Sequence, residues 1–286
     1  MPIVVVETVA ALRLGLEPLR RAGVTIGFVP TMGALHDGHA GLIDRARRDC
    51  GRVVVSIFVN PLQFDRPDDL ARYPRTLARD LEMCSSRGVD LVFVPDAGEM
   101  YPSKAVCTVD PGPVAEHCCG RYRTGHFRGV ATVVTKLLNM VQPDVAYFGE
   151  KDAQQLAVIR RLVADLNIPV AIVGVPTVRE EDGLALSSRN VKLDPEERRL
   201  APCLYAALQE AALRVEGGAA DPDAIRQAAA ARLPRDERLR LEYLEVVDPE
   251  SFQPVTRVAG EVIVAGALWV GRTRLIDNVR CRQLAE

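Results

Sequence analysis

The segment His36-Asp37-Gly38-His39 places two imidazoles three residues apart, a spacing that can serve phosphate chemistry. It follows an apolar run and precedes a helical pattern at 39–49, so the sequence predicts a link between a strand and a helix. A helix amino terminus attracts anions, and Gly38 leaves room for a phosphate or a nucleobase to approach the backbone. Two histidines can also meet by chance in an ordinary turn, but the position between strand and helix favours a phosphate site.

Polar residues that can hold anions also follow other apolar runs of the chain. In an open parallel sheet, ligands bind at the carboxyl ends of the strands, so residues just after each strand are candidates for one site. Amide, ammonium and guanidinium groups are donors suited to phosphate and carboxylate oxygens. Each residue taken singly is an ordinary turn or surface residue, and the inference depends on their joint placement. The set comprises Asn60, Gln63, Lys151, Gln155 and the run Ser187-Ser188-Arg189.

The elements that must position these groups alternate between two patterns in the first part of the chain. Continuous runs rich in Val and Ile are typical of strands buried on both faces, and helical patterns separate them. This alternation predicts an α/β fold: a Rossmann-like, doubly wound parallel sheet with helices on both faces. The predicted strands are 24–29, 53–59, 89–94, 145–148 and 170–175, and the predicted helices are 39–49, 76–87, 129–140 and 153–166.

The pattern changes after about residue 176, which predicts a first domain over 1–176 and a smaller α+β domain over 177–286. Asp194 before Pro195 indicates a helix start, and 195–215 has the pattern of one amphipathic helix. The other elements predicted for this part are a helix at 222–232 and strands at 240–247, 261–264 and 268–270.

Composition narrows the class of protein. A net charge of −2 over 286 residues gives no general basic footprint for nucleic acid. No run reaches the roughly 18 to 20 apolar residues of a membrane span, and the amino terminus lacks the basic start of a secretion signal. The seven cysteines include no C-x-x-C pair, which favours reduced thiols over disulfides or zinc. We therefore expect a cytoplasmic protein that binds neither membrane nor nucleic acid.

Five motifs in sequence order resemble the signatures of the pantothenate synthetase (pantoate–β-alanine ligase) family, within the nucleotidyltransferases that carry HIGH-type motifs. The resemblance is close from about residue 25 to residue 194 and looser beyond it. Asp37 departs from the pattern, because Glu is more common at that position in the family. The motifs are Pro30-Thr31-Met32-Gly33-Ala34-Leu35-His36-Asp37-Gly38-His39, Phe58-Val59-Asn60-Pro61-Leu62-Gln63-Phe64, Tyr73-Pro74-Arg75-Thr76, Phe148-Gly149-Glu150-Lys151-Asp152 and Leu186-Ser187-Ser188-Arg189-Asn190.

The resemblance implies a reaction in two steps. The carboxylate of (R)-pantoate attacks the α-phosphate of ATP to give pantoyl adenylate and pyrophosphate. β-Alanine then attacks the activated carbonyl group to give pantothenate and AMP. Mg²⁺ accompanies the ATP, the second domain acts as a lid, and the protein is a homodimer.

The resemblance also implies roles for individual residues. Donors to the phosphates would carry the catalysis, amides and apolar side chains would bind pantoate, and Asp80 would lie near Mg²⁺. The implied catalytic residues are His36, His39, Lys151, Ser187, Ser188 and Arg189. The implied ATP-binding residues are Met32, His39, Gly149, Lys151, Asp152, Val178, Ser187, Ser188 and Arg189, and those for pantoate are Met32, Asn60, Gln63, Phe148 and Gln155.

Three other functions use some of the same features. A nucleotidyltransferase acting on a phosphate-containing acceptor would share the histidine motif, but the amides and Met32 favour a small carboxylate. A tRNA synthetase fragment is disfavoured by the near-neutral charge and the short second domain. A nucleotide sensor without catalytic activity is disfavoured because every motif is intact.

Overall fold

The computed structural model describes residues 3–102 and 107–283 and divides the chain into two compact units. The first unit comprises the chain as far as Pro111, Arg123–Glu150 and Val158–Pro176. The second comprises Gly112–Tyr122, Lys151–Ala157 and the chain from Thr177 onward. The second unit thus includes two segments that precede residue 177, and the assignment of domains to 1–176 and 177–286 stays a prediction.

A six-stranded sheet forms the centre of the first unit, and every pair of neighbouring strands in it is parallel. Its strand order, β1-β4-β3-β2-β5-β6, reverses direction between β2 and β5, as a doubly wound sheet requires. The predicted α/β class is therefore confirmed. The strands are β1 (Val4–Val6), β2 (Ile26–Thr31), β3 (Arg52–Ile57), β4 (Leu91–Phe93), β5 (Val145–Gly149) and β6 (Ala171–Val175).

The α-helices described in both units include the predicted ones and four that the sequence did not predict, at 9–21, 67–71, 97–100 and 119–122. The four helices predicted between residues 39 and 166 correspond to α2, α4, α7 and α8. In chain order the helices are α1 (Val9–Arg21), α2 (Asp37–Asp49), α3 (Pro67–Ala71), α4 (Leu77–Ser86), α5 (Ala97–Met100), α6 (Cys119–Tyr122), α7 (His126–Val141), α8 (Ala153–Asp165), α9 (Pro195–Leu200), α10 (Cys203–Glu216) and α11 (Pro222–Ala230).

Helix α1 was not predicted, because Pro18 lies inside its sequence and proline cannot donate the intrahelical hydrogen bond. Thr8 begins the helix by accepting a hydrogen bond from the N–H of Ala11. Leu12 and Leu16 are buried on its inner face. Burial of these two side chains therefore outweighs the single hydrogen bond that Pro18 removes, which lies near the helix end.

The second unit contains an antiparallel sheet of β7 (Leu239–Val247), β8 (Glu261–Val270) and β9 (Thr273–Arg282). The strands predicted at 261–264 and 268–270 are one continuous strand, β8, so the predicted interruption at 265–267 is wrong. A Cβ at Gly266 would lie 2.9 Å from Cδ1 of Leu204 on α10, so the glycine provides space for helix packing. The smaller α+β part predicted for this region is confirmed.

One long helix was predicted over 195–215, and the structure corrects this prediction. Pro202 separates α9 from α10, since its ring lacks an N–H and would clash with the preceding turn of a continuous helix. Asp194 begins α9 as predicted, accepting hydrogen bonds from the N–H groups of Glu196 and Glu197. In residues 3–102 and 107–283, no helix is long and apolar enough to cross a membrane.

Candidate active site

The chain leaves β2 at Thr31 and enters α2 through a loop whose shape is set by side-chain hydrogen bonds. The Thr31 hydroxyl accepts from the N–H of Gly33 at 3.1 Å and donates to the carbonyl of Ser56 on β3 at 2.8 Å. Gly33 and Ala34 are both left-handed, with φ of +78° and +52°. This turn brings His36 to the amino terminus of α2, where the sequence predicted it.

His36 and His39 form a reciprocal cap at the start of α2. Nδ1 of His36 accepts from the N–H of Gly38 at 3.1 Å, and Nδ1 of His39 accepts from the N–H of His36 at 3.3 Å. Because each Nδ1 is an acceptor, each neutral ring carries its proton on Nε2. The two ring centroids lie 4.2 Å apart, so two Nε2–H donors stand beside the positive end of a helix dipole. The arrangement suits an anion with several oxygens.

Gly38 has a further reason to be glycine. A Cβ at this position would lie 2.8 Å from Cε1 and 3.0 Å from Nδ1 of His36. Gly38 was predicted to leave space for a ligand. The His36 ring in its capping position needs that space as well.

Asn60 fixes the orientation of the Gln63 amide, and its own orientation is set by the backbone. Its Oδ1 accepts from the N–H of Leu62 at 3.3 Å, and its Nδ2 donates to the carbonyl of Gly129 at 3.1 Å. Nδ2 also donates to Oε1 of Gln63 at 3.0 Å. A backbone N–H only donates and a carbonyl only accepts, so these contacts leave Gln63 presenting its NH₂ group away from Asn60.

The Gln63 NH₂ group faces Met32, with Nε2 3.2 Å from Sδ. Gln63 is 8 % exposed and follows β3, while Met32 follows the neighbouring β2. Phe148 lies near the end of β5 on the other side of β2 and is 4 % exposed. Strand ends of one sheet thus supply an amide donor and apolar side chains, a combination that suits a short carboxylate with apolar substituents.

Three residues that support this site were not predicted. The Tyr101 hydroxyl donates to Oδ1 of Asn60 at 2.8 Å. His126 donates from Nδ1 to the carbonyl of Gln63 at 2.8 Å and accepts at Nε2 from Arg123 at 2.9 Å. Tyr101 and His126 lie 41 and 63 residues from their partners, so no sequence spacing indicates these two residues. Burial raises the pKa of Tyr101 to about 12, which keeps its hydroxyl a donor.

Lys151, Ser187 and Arg189 line one pocket of the second unit, together with Asn190, Tyr205 and Asp277. The structure therefore brings together three of the predicted phosphate-binding residues. The backbone carbonyl of Lys151 accepts from Nδ2 of Asn278 on β9 at 2.9 Å, which anchors the main chain at this position. The lining of this pocket mixes polar and apolar side chains and includes two cationic side chains in addition to Lys151, those of Arg189 and Arg274.

The segment carrying Ser187 and Arg189 is held by Arg179. Arg179 donates to both carboxylate oxygens of Asp277 at 2.6 and 3.0 Å, and its guanidinium lies 3.7 Å from the centroid of the Tyr205 ring. A backbone bridge between Arg179 and Ala185 leads directly into the 186–190 segment. The predicted ATP-binding residue Val178 takes part in the same backbone pairing, since its carbonyl accepts from the N–H of Leu186 at 3.0 Å.

Asp80 has a different environment from the one expected near Mg²⁺. It is 1 % exposed, and its carboxylate accepts from the N–H groups of Ala34 and Leu35 at 3.0 and 2.9 Å and from the Thr76 hydroxyl at 3.1 Å. Among the residues the structure describes, no three His, Cys, Asp or Glu side chains gather to hold a metal ion. The Mg²⁺ role of Asp80 stays a prediction, as do the contacts predicted for Gly149, Asp152, Gln155 and Ser188.

Comparisons with known proteins identify the family. The sequence profile of the pantoate–β-alanine ligase family matches residues 4–280. A pantothenate synthetase of Heliobacterium modesticaldum is 52 % identical over 274 residues, which cover 96 % of this chain and 98 % of that protein. The crystal structure of pantothenate synthetase from Thermus thermophilus superposes with a TM-score of 0.89 at 48 % identity, covering 97 % of this chain and 99 % of that one.

A further crystal structure concerns the pantoate–β-alanine ligase of Francisella tularensis, complexed with a β,γ form of ATP and β-alanine. It superposes with a TM-score of 0.80 at 33 % identity and covers 97 % of each chain. The profile match and the identities extend over nearly the whole sequence, including the part after residue 194, where the motif resemblance is looser. The chain therefore belongs to the pantoate–β-alanine ligase family.

Proposed function

We propose that the chain catalyses the ATP-dependent condensation of (R)-pantoate with β-alanine to pantothenate, through a pantoyl-adenylate intermediate. The observation that carries the proposal is the match of the pantoate–β-alanine ligase family to residues 4–280. The paired histidines at the start of α2 and the oriented amide of Gln63 support it independently, because one suits a polyphosphate and the other a small carboxylate. AMP and pyrophosphate are the other products.

In the first step, a carboxylate oxygen of pantoate attacks the α-phosphorus of ATP. A P–O bond forms to pantoate, and the P–O bond to pyrophosphate breaks with its electron pair leaving on pyrophosphate. The carboxylate is already ionised at neutral pH, so the enzyme must mainly align the reactants and stabilise the growing charge. His36 and His39 donate from Nε2 to the triphosphate, and Lys151 with Ser187-Ser188-Arg189 stabilises charge on the leaving pyrophosphate.

Pantoate is recognised through its oxygens and its methyl groups. Gln63 donates from Nε2 to a pantoate oxygen, in the orientation that Asn60 imposes. Met32 and Phe148 pack against the branched carbon, and Gln155 supplies a second amide. Gly149, Asp152 and Val178 contact the adenosine, with Asp152 accepting from the ribose hydroxyls.

In the second step, the β-alanine nitrogen attacks the acyl carbon of pantoyl adenylate. A C–N bond forms, the C–O bond to AMP breaks, and the amine loses a proton. Mg²⁺ would enter as part of the MgATP substrate, where phosphate oxygens and water would hold it. We further infer a homodimer in the cytoplasm, which sedimentation and cell fractionation would check.

One assay tests the proposed function. The purified protein is incubated with MgATP and (R)-pantoate, with and without β-alanine, and AMP, pyrophosphate and pantothenate are measured. Pyrophosphate should appear with ATP and pantoate alone, and steady AMP and pantothenate formation should require β-alanine. Pyrophosphate release that needs a phosphorylated acceptor in place of pantoate would instead indicate a nucleotidyltransferase, and no turnover at all would indicate a nucleotide sensor.

Replacing Tyr101 with phenylalanine tests the support behind Gln63. The change removes one hydrogen bond to Oδ1 of Asn60, worth about 0.5–1.5 kcal/mol, so KM for pantoate should rise by roughly two- to twelvefold. KM for ATP should change little. Steady-state kinetics with each substrate varied checks this, with Tyr122→Phe as the control, because the Tyr122 ring stacks on Tyr243 and plays no part in the Asn60 contact. An unchanged KM for pantoate would contradict the role assigned to Tyr101.

A further inference from the structure

The loop between β2 and α2 has a conformation that needs external support. Ala34 is left-handed with φ of +52°, which costs an L-residue with a Cβ roughly 1 kcal/mol or more. Gly33, with φ of +78°, precedes it, and a glycine adopts this region without a Cβ clash, so the steric cost falls on Ala34. The loop leads without interruption into His36, and a change in its path would move both histidines of the α2 cap. Whatever stabilises residues 33–35 therefore also positions the imidazoles.

The Asp80 carboxylate is the group that supplies this support. Oδ2 accepts from the N–H of Ala34 and Oδ1 from the N–H of Leu35, so the carboxylate holds the peptide units on both sides of Ala34. The Thr76 hydroxyl donates to Oδ1 and holds the carboxylate from its own helix. A Cβ at Gly33 would lie 3.0 Å from Oδ2 of Asp80 and 3.0 Å from Cγ2 of Ile57, so the loop fits closely over the carboxylate.

The burial of Asp80 makes this support strong. The side chain is 1 % exposed, so water does not compete for its hydrogen bonds. Hydrogen bonds to a carboxylate are also stronger than hydrogen bonds between neutral groups. Asp80 lies in the first turn of α4, where a negative charge is also favoured by the helix dipole. Burial first, and the charge of Asp80 second, raise the pKa of the neighbouring Cys84 to about 12, so that thiol stays protonated.

We propose that Asp80 is a positioning residue for catalysis, which holds the 33–35 loop so that His36 and His39 face the ATP phosphates. This inference rests on the proposed role of the two histidines. It differs from a Mg²⁺ role, because both carboxylate oxygens already accept backbone hydrogen bonds and neither is exposed to a hydrated ion. Asp80 acts through the loop and touches no substrate.

Asp80→Asn tests the proposal, because an asparagine amide accepts at one atom and would direct its NH₂ at a second N–H. The rate of pyrophosphate release from MgATP and pantoate should fall by roughly ten- to a hundredfold, as expected when a catalytic group is displaced by a fraction of an ångström. The midpoint of Mg²⁺ activation should not move. Aminolysis of supplied pantoyl adenylate by β-alanine should fall much less, since the pyrophosphate contacts are no longer needed. Hydrogen exchange at the Ala34 and Leu35 amides should accelerate.

Glu82→Gln is the matched control, because Glu82 is an exposed carboxylate on the same helix and its variant should keep wild-type rates. Thr76→Val provides a milder change should Asp80→Asn fold poorly, and it should show a smaller loss with the same selectivity for the first step. A raised Mg²⁺ midpoint with recovery at high Mg²⁺ would overturn the proposal in favour of metal binding. If the rates of pyrophosphate release and of aminolysis fell by the same factor, and that factor matched the fraction of unfolded protein, Asp80 would have a purely structural role.

His36→Ala and His39→Ala separate this proposal from the proposed function. If both histidine variants release pyrophosphate at wild-type rates, the role of the histidines fails and the proposal for Asp80 fails with it. If they lose activity while Asp80→Asn and Thr76→Val retain it, only the positioning role of Asp80 is overturned.

Discussion

Replacing Lys151 with alanine should lower the rate of pyrophosphate release from ATP and pantoate by roughly a hundred- to a thousandfold. Lys151 lines a pocket that it shares with Ser187 and Arg189, and its ammonium group is the charge proposed to follow the leaving pyrophosphate. An alanine leaves this charge unbalanced in the transition state. The measurement is single-turnover pyrophosphate release with saturating MgATP and pantoate.

The fold should survive this change. The structural contact at this position is the hydrogen bond from Asn278 to the backbone carbonyl of Lys151, and truncating the side chain leaves it intact. Circular dichroism and thermal unfolding should therefore match the parent protein. Lys192→Ala is the control, since Lys192 is an exposed lysine at the end of a short turn that follows Arg189. A folded Lys151→Ala protein with near-parental pyrophosphate release would show that the proposed role is wrong.

The sequence predicts the centre of the sheet well, and the reason is physical. Residues of β3 such as Val53, Val54 and Val55 are almost completely buried, and strands covered on both faces must be continuously apolar. Predictions of polar residues at the strand ends depend only on adjacency along the chain. His36 and Gln63 could therefore be proposed as site residues, because each follows its strand within a few residues.

Strand β9 shows why other elements escaped prediction. Its inward positions alternate regularly, but Thr273 and Asp277 occupy two of them. A charged residue at an inward position argues against a half-buried strand when the sequence is considered alone. Asp277 is tolerated because Arg179, 98 residues away, forms two hydrogen bonds to its carboxylate. Partners so distant in sequence are established only by the folded chain.

The same limit applies to the supports of the candidate site. The resemblance places Asp80 near Mg²⁺, a role that stays a prediction, whereas the hydrogen bonds that the structure gives its carboxylate come from backbone N–H groups, which no residue type reveals. Tyr101 and His126 reach Asn60 and Gln63 through space from separate segments. Candidates for substrate contact can be proposed from residue type and placement, whereas the residues that orient those candidates are identified only by tertiary contacts.

The second large effect is expected from a substitution of Gly129, which lies where α7 packs against the short turn Pro61–Gln63. A Cβ at Gly129 would lie 2.3 Å from the Leu62 carbonyl oxygen and 2.6 Å from the Gln63 nitrogen. These are backbone atoms, so no side-chain rotation can relieve the overlap. Gly129→Ala must therefore push the turn away by about 1 Å to restore ordinary contact distances.

Such a displacement moves the Gln63 amide and stretches the bond from Asn60 to the Gly129 carbonyl, which is 3.1 Å long. A misplacement of about 1 Å can cost on the order of 100-fold, so kcat/KM for pantoate should fall by about that factor. The free energy of unfolding should fall by about 1–3 kcal/mol from overpacking, less the gain of up to about 1 kcal/mol from replacing a helical glycine. Pantoate kinetics and urea unfolding measure the two effects.

Gly15→Ala is the matched control, since Gly15 lies in α1 and its added Cβ would meet only the flexible end of Leu91, at 3.3 Å. That variant should keep parental kinetics and be at least as stable, because it gains helix propensity without a backbone clash. Gly129→Ala with unchanged kcat/KM for pantoate would mean that the position of the 61–63 turn does not govern pantoate binding. Parallel losses for pantoate and ATP would point to general unfolding. A loss confined to pantoate would show that α7, through one glycine, sets the position of the Gln63 amide.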